Sequence, residues 1–235
     1  MNQKSSQLDL ENQENIAQSK IVAKNGHVKG IFITGATRGI GLSLAQIYLK
    51  QNYLVGTCAR QTSEEAFTEF SEEIQNYRKN HKFFIYQADV RDLSSLQLAL
   101  EQFTKLAKLE ILVANAGIAF QQKKAWPQFK ISHEIIDVNI HGLLNTFEAG
   151  LDIFKQQNFG HLVAMSSLAG YLGLPGVSAY AASKAFIRYY CESLSLDLSQ
   201  HNIFVTSICP GYVKTNLTKK NGHYMPFLVS ADKAA

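Results

Sequence analysis

Short apolar runs alternate with amphipathic stretches from Lys29 to the end of the chain, and this rhythm constrains the fold more than any other feature of the sequence. Gly30–Thr34, Tyr53–Cys58, Phe83–Tyr86, Ile111–Ala114, His161–Met165 and Ile203–Ile208 each read as a short, bounded strand. Strands with apolar residues on both sides belong in a parallel sheet covered on both faces. Helical periodicity fills the gaps at Leu42–Lys50, Glu64–Lys79, Leu93–Ala107, about His133 to Phe154, and Ala179–Ser199. Strands and helices alternating at these lengths imply right-handed crossovers, and so a single α/β domain built as a doubly wound parallel sheet.

A chain of 235 residues suits one such core. Residues 1–28, rich in Gln, Asn, Ser and Lys, read as a flexible N-terminal arm outside a 29–235 domain. The net charge of +4 is scattered rather than gathered into a run, so no nucleic-acid partner is expected. Cys58, Cys191 and Cys209 stand far apart and form no C-x-x-C pair, which gives no support for a metal site and suits buried reduced thiols. No apolar run approaches the ~20 residues of a membrane helix, and the polar start lacks the apolar core of a signal peptide. A cytoplasmic location is the expectation.

The first strand runs into Gly35-Ala36-Thr37-Arg38-Gly39-Ile40-Gly41, and helical periodicity starts at Ile40. On a strand-to-helix turn, residues without a Cβ allow a tight reversal and let phosphate oxygens reach the backbone and the helix N–H groups. A nicotinamide dinucleotide is the implied ligand. An acid at the end of the second strand would bind the ribose hydroxyls of NAD, but the sequence there is Cys58-Ala59-Arg60. A guanidinium at Arg60 matches a 2′-phosphate instead, and so favours NADP(H).

The Gly-x3-Gly-x-Gly spacing resembles that of the short-chain dehydrogenase/reductase family, with a Rossmann-like fold, and the likeness runs from about Lys29 to about Leu228. It implies that Gly35, Thr37, Arg38, Gly39, Ile40 and Gly41 wrap the diphosphate, with Arg38 beside the same phosphate as Arg60. Asp89-Val90 resembles the adenine-contacting pair, although Asp89 could equally cap the helix that follows. Asn115-Ala116-Gly117 resembles a motif in which the Asn ties neighbouring strands and the Gly passes close to the cofactor ribose. In Cys209-Pro210-Gly211-Tyr212-Val213-Lys214-Thr215, Val213 and Thr215 resemble residues near the nicotinamide.

Tyr180-Ala181-Ala182-Ser183-Lys184 places a phenol and an ammonium one helical turn apart. Phenol titrates near pH 10, so a cation close by is needed to bring it towards neutrality. The resemblance makes Tyr180 the acid/base, and Lys184 the group that lowers its pKa and holds the ribose. Ser167 then orients the substrate oxygen, while Asn139 supports a proton relay through its backbone carbonyl. The implied activity is hydride transfer between nicotinamide and a carbonyl or secondary alcohol. Rival readings are an NADP(H)-binding sensor or scaffold without turnover, and an epimerase or dehydratase of the same family.

Phe120, Tyr171, Leu172, Leu174, Tyr212 and Met225–Leu228 are candidates to line a pocket for an apolar ketone or aldehyde. The resemblance also implies a homo-oligomer. Ser230-Ala231-Asp232-Lys233 reads as the capped first turn of a helix. Family members are expected to continue with that helix and a seventh strand, and without them the sixth strand would be an open sheet edge.

Overall fold

The computed structural model describes residues 27–62, 67, 70–120, 126–219 and 225–235. Most of the expected N-terminal arm therefore lies outside the described residues. Six parallel strands, β1 (Lys29–Thr34), β2 (Leu54–Ala59), β3 (Phe83–Gln87), β4 (Lys108–Ala114), β5 (Gly160–Met165) and β6 (Ile203–Ile208), form one sheet in the order β3-β2-β1-β4-β5-β6. The order reverses between β1 and β4, which opens a crevice at the carboxyl ends of these strands.

Successive side chains of β1 enter opposite cores. Ile31 and Ile33 pack with Ala45 and Leu49 of α1 (Gly39–Lys50) and Ile74 of α2 (Glu72–Lys79). Phe32 faces the other way, edge-on to Phe103 of α3 (Leu93–Thr104). That second core also takes Phe147 and Phe154 of α5 (Gly142–Gln157) and Ile187 of α6 (Ser178–Asp197). Each such fully buried aromatic stabilises the fold by about 2–3 kcal/mol.

Local chemistry sets the helix limits. Ser71 caps α2 by accepting from the Ile74 N–H, with Glu72 and Glu73 in the first turn and Arg78 and Lys79 in the last, each sign matched to the helix dipole. Only the part of the expected Glu64–Lys79 helix from Glu72 onward is a described helix. Asp92 caps α3 by accepting from Ser94 N–H, so Asp89 is not its cap. The fourth strand begins at Lys108, three residues before the apolar run that signalled it.

The expected single helix from His133 to Phe154 is divided. Its first part, α4 (Phe129–Ile136), passes into α5 through a wide π-helical turn at Asp137–His141. Beyond β6, β7 (Val213–Lys214) pairs in parallel with β8 (Val229–Ser230). Ser230 caps the short α7 (Ala231–Ala234), and Ser43 of α1 donates to Asp232 at 2.7 Å, docking this end onto α1. Among the described residues β6 pairs with β5 alone.

Candidate active site

The turn between β1 and α1 is built to receive an anion. Gly39 has φ +58°, a conformation side-chain-bearing residues rarely adopt, and an added Cβ would lie 3.3 Å from the Thr215 methyl. At Gly41 a Cβ would lie 2.5 Å from Asn115 Nδ2 and 2.9 Å from the Gly35 carbonyl, so the helix could not start so close to the strand. Arg38 precedes α1 without a side-chain cap, and the first turn holds no acid. Its leading N–H groups and the positive dipole end therefore suit a diphosphate.

Polar side chains from neighbouring strands hold this turn. Thr57 of β2 donates to Ile33 O at 2.7 Å and accepts from Ala36 N–H at 2.9 Å. Thr34 accepts from the N–H groups of Asn115 and Ala116, while Asn115 Nδ2 donates to Thr34 O at 2.9 Å. Asn115 thus links the ends of β1 and β4. Arg60 follows β2, whose Cys58 carbonyl accepts from Gly35 N–H, so Arg38 and Arg60 leave adjacent strand ends. Both are exposed.

Asp89 lies beyond β3, where its carboxylate takes a forked interaction from Arg91 at 2.5–3.1 Å. Those hydrogen bonds hold its pKa below the ordinary carboxylate value. Val90 is buried, with its side chain against Gly142 and its carbonyl accepting from Asn145.

Tyr180, Lys184 and Ser167 come together around the first turns of α6. Lys184 is buried and donates to the Met165 carbonyl at 2.7 Å. Its Nζ lies 5.7 Å from the centre of the Tyr180 ring. A Cβ on Gly117 would come 3.6 Å from that Nζ and 3.3 Å from Asn139 Oδ1, which places the end of β4 beside both residues. Burial lowers the Lys184 pKa to about 8. Burial also raises that of Tyr180, against a hydrogen bond from Ser167 that lowers it. The Lys184 ammonium itself is aimed at Met165 O, so in the protein alone burial is the largest influence on the phenol.

Ser167 accepts from Ala169 N–H at 3.1 Å, starting a short turn at Leu168–Tyr171, while remaining within reach of the Tyr180 hydroxyl. Asn139 is buried in the π-helical turn. Its amide donates to Ile118 O and to Ser183 Oγ, both at 3.0 Å, and its oxygen accepts from Ile118 N–H at 2.8 Å.

Residues 29–225 match the family model described as short chain dehydrogenase. The chain belongs to the short-chain dehydrogenase/reductase family. An uncharacterized oxidoreductase of Mycobacterium tuberculosis is 32% identical over 197 residues, covering 83% of this chain and 77% of the relative. The dehydrogenase/reductase SDR family member 7B of Xenopus laevis is 30% identical, over 80% of this chain and 59% of its own length. Among solved structures, the closed form of a serine dehydrogenase complexed with NADP+ superposes with a TM-score of 0.71 at 28% identity, over 80% of this chain and 75% of the other. A short-chain type dehydrogenase/reductase from Mycobacterium marinum gives a TM-score of 0.74 at 27% identity, over 87% and 79%.

Some supports of this short-chain dehydrogenase/reductase site escape a reading of the sequence. Ser166, readable as a turn serine bonded to its own backbone, instead donates to the Lys184 carbonyl at 2.7 Å and fixes α6 to β5. Ser183 donates to Tyr180 O at 2.7 Å while receiving Asn139. Thr34 and Thr57 act as described above. A Thr in a strand has many roles, and only the register with its neighbour gives it this one. Of the pocket candidates, Leu174, Tyr212 and Met225 are partly buried, and Phe120, Tyr171, Leu172 and Leu228 are exposed. Phe227 points outward. Cys58 and Cys191 are buried, with thiols pushed up to about 12, whereas Cys209 is only partly buried.

Proposed function

We propose that this chain is an NADP(H)-dependent oxidoreductase that interconverts an apolar carbonyl compound and its alcohol, with Tyr180 as the proton donor and acceptor. The observation that carries the proposal is the convergence of Tyr180, Lys184 and Ser167 at the carboxyl end of β5, beside the anion-binding turn at the end of β1. The NADP+ bound by the serine dehydrogenase that this fold resembles supports the choice of cofactor.

The diphosphate would lie on the Gly35–Gly41 turn and the start of α1, with Arg38 and Arg60 on the 2′-phosphate and Asp89 and Val90 near the adenine. Ala116, Gly117, Val213 and Thr215 would flank the nicotinamide ribose and ring. When bound, the nicotinamide supplies or accepts the hydride. Ser167 donates to the substrate oxygen and steadies charge developing there. A phenol held protonated by burial is suited to donate its proton to that oxygen when a carbonyl is reduced. Lys184, still largely charged at neutral pH, orients the ribose and favours the phenolate left behind. The Asn139 backbone is assigned to the relay that returns the proton.

Titration of the purified protein with NADPH and NADH, and oxidation of NADPH against a panel of carbonyl compounds, test this assignment. NADPH is expected to bind at least about tenfold tighter, a difference of ~1.4 kcal/mol that Arg60→Ala should reduce. Tyr180→Phe should lower kcat ~10²-fold or more with cofactor affinity nearly unchanged. Equal cofactor affinities would overturn the NADP(H) assignment. Retention of more than about a tenth of the turnover in Tyr180→Phe would remove Tyr180 from the chemistry.

A further inference from the structure

The Asp89 carboxylate poses a difficulty for a cofactor that carries a 2′-phosphate. Gln87 pairs with Ala59, and Ala88 N–H donates to Ala59 O at 3.1 Å, so the chain leaving β3 runs beside Arg60. Asp89 follows at once and lies within electrostatic reach of Arg60. The cavity beside it is lined by Asp89, Asp92, Asp137 and His141, with Arg91 among them. A bare carboxylate in this position would repel the phosphate and compete for the guanidinium that binds it.

Arg91 removes both effects. Its Nε and Nη2 donate to the two Asp89 oxygens at 2.5–3.1 Å, and its backbone N–H donates to Oδ1 at 3.0 Å. The Arg91 side chain is 46% exposed and that of Asp89 26%, and a pair so open to water contributes little to folding. The turn does not depend on it either, because Asp92 caps α3 and Ser95 donates to the Asp89 carbonyl. Arg60, in contrast, makes no hydrogen bond or ion pair among the described residues.

We propose that Arg91 is a positioning residue that sets the preference for NADP(H): by occupying the Asp89 carboxylate it cancels the charge nearest the 2′-phosphate and keeps Arg60 available to bind it. The inference rests on the NADP(H) reading and adds a residue that acts through Asp89 rather than by touching the phosphate. Arg38 and Arg60 supply the attraction, and Arg91 withdraws a repulsion. NADH carries an uncharged hydroxyl at this position, so the effect of Arg91 should fall on NADPH alone.

Equilibrium titration of the purified full chain with NADPH and with NADH tests this without turnover. Arg91→Ala is expected to weaken NADPH binding about fivefold or more and NADH binding by less than about twofold, with an unchanged circular dichroism spectrum. Charges this exposed are screened, so the NADPH penalty should shrink at least about twofold as salt rises from ~0.05 to ~0.5 M. Arg91→Lys keeps the charge without the fork and should give an intermediate preference. Adding Asp89→Asn to Arg91→Ala removes the unpaired carboxylate. The double variant should recover the NADPH/NADH ratio to within about twofold of the unmodified protein, although both affinities fall together as the adenine contact weakens. A penalty shared equally by NADPH and NADH overturns the proposal, since a structural role would act on both. So does a lost preference that Asp89→Asn fails to restore, which would put Arg91 on the phosphate itself. Equal affinities in the unmodified protein overturn the NADP(H) reading and this inference with it, whereas a clear preference that survives Arg91→Ala overturns the inference alone.

Discussion

Lys184 shows at a single residue what the site costs the fold. Its burial lowers the pKa from 10.5 to about 8, so at neutral pH the folded chain holds a charge that the same residue in the unfolded chain hydrates freely. A shift of that size corresponds to about 3 kcal/mol of destabilisation below pH 8. Replacing the side chain by Met removes the charge and keeps most of the volume. The Met165 carbonyl then loses its donor, which offsets about 1 kcal/mol. Lys184→Met is therefore expected to be the more stable protein by about 2 kcal/mol at about pH 7, although inactive. Between pH 8 and 10.5 the unfolded chain binds the proton and the folded chain does not, so the unmodified protein gains stability as pH rises. Urea unfolding at about pH 7 and about pH 10 should show the advantage of the variant shrinking over that interval. An advantage that stayed constant with pH would mean that Lys184 is not the group whose charge is disfavoured.

At the scale of elements, the strongest departure from the periodic pattern is the π-helical turn at Asp137–His141. Apolar periodicity carries through this region and predicts one helix. The wider turn instead serves the Asn139 side chain, which joins the connection after β4 to α6 through Ile118 and Ser183. A π-bulge of this kind often marks a functional position. Asn139→Ala would strip three hydrogen bonds from buried or half-buried partners and is expected to destabilise the fold by about 2–4 kcal/mol. Denaturant midpoints at fixed m-value measure this, and a loss below about 0.5 kcal/mol would show that the tie is dispensable. The six strands and the Tyr180–Lys184 pair were legible because each is a local pattern: a bounded apolar run or a four-residue spacing. Ser166, Thr34 and Thr57 were not, because their partners lie on other elements and no local rule pairs a hydroxyl with a carbonyl many residues away.

For the molecule as a whole, the sheet is covered unevenly. The core formed with α1 and α2 protects one face as far as Val163 and Met165 of β5, but Phe204, Thr206 and Ile208 of β6, which lie on that face, are exposed. The phase of the ladder decides which β6 amides are protected. Gly160 N–H donates to Asn202 O and Ser166 N–H donates to Ile208 O. In a parallel pair both polar groups of a residue point to the same side, so with this register Phe204, Thr206 and Ile208 turn their N–H groups towards β5. Ile203, Val205 and Ser207 turn theirs outward, where among the described residues no strand pairs with them. Native-state hydrogen exchange should therefore alternate along β6, with Val205 and Ser207 exchanging at least about tenfold faster than Thr206, and with Ile31–Ile33 of the central β1 the slowest of all. Paired edge amides also open more readily than central ones, so even Thr206 should exchange faster than Phe32. Strong and equal protection of Val205, Thr206 and Ser207 would show that another segment or a second copy covers the edge, and a dilution series would separate the two: protection by a second copy falls with protein concentration, whereas protection from within the chain does not.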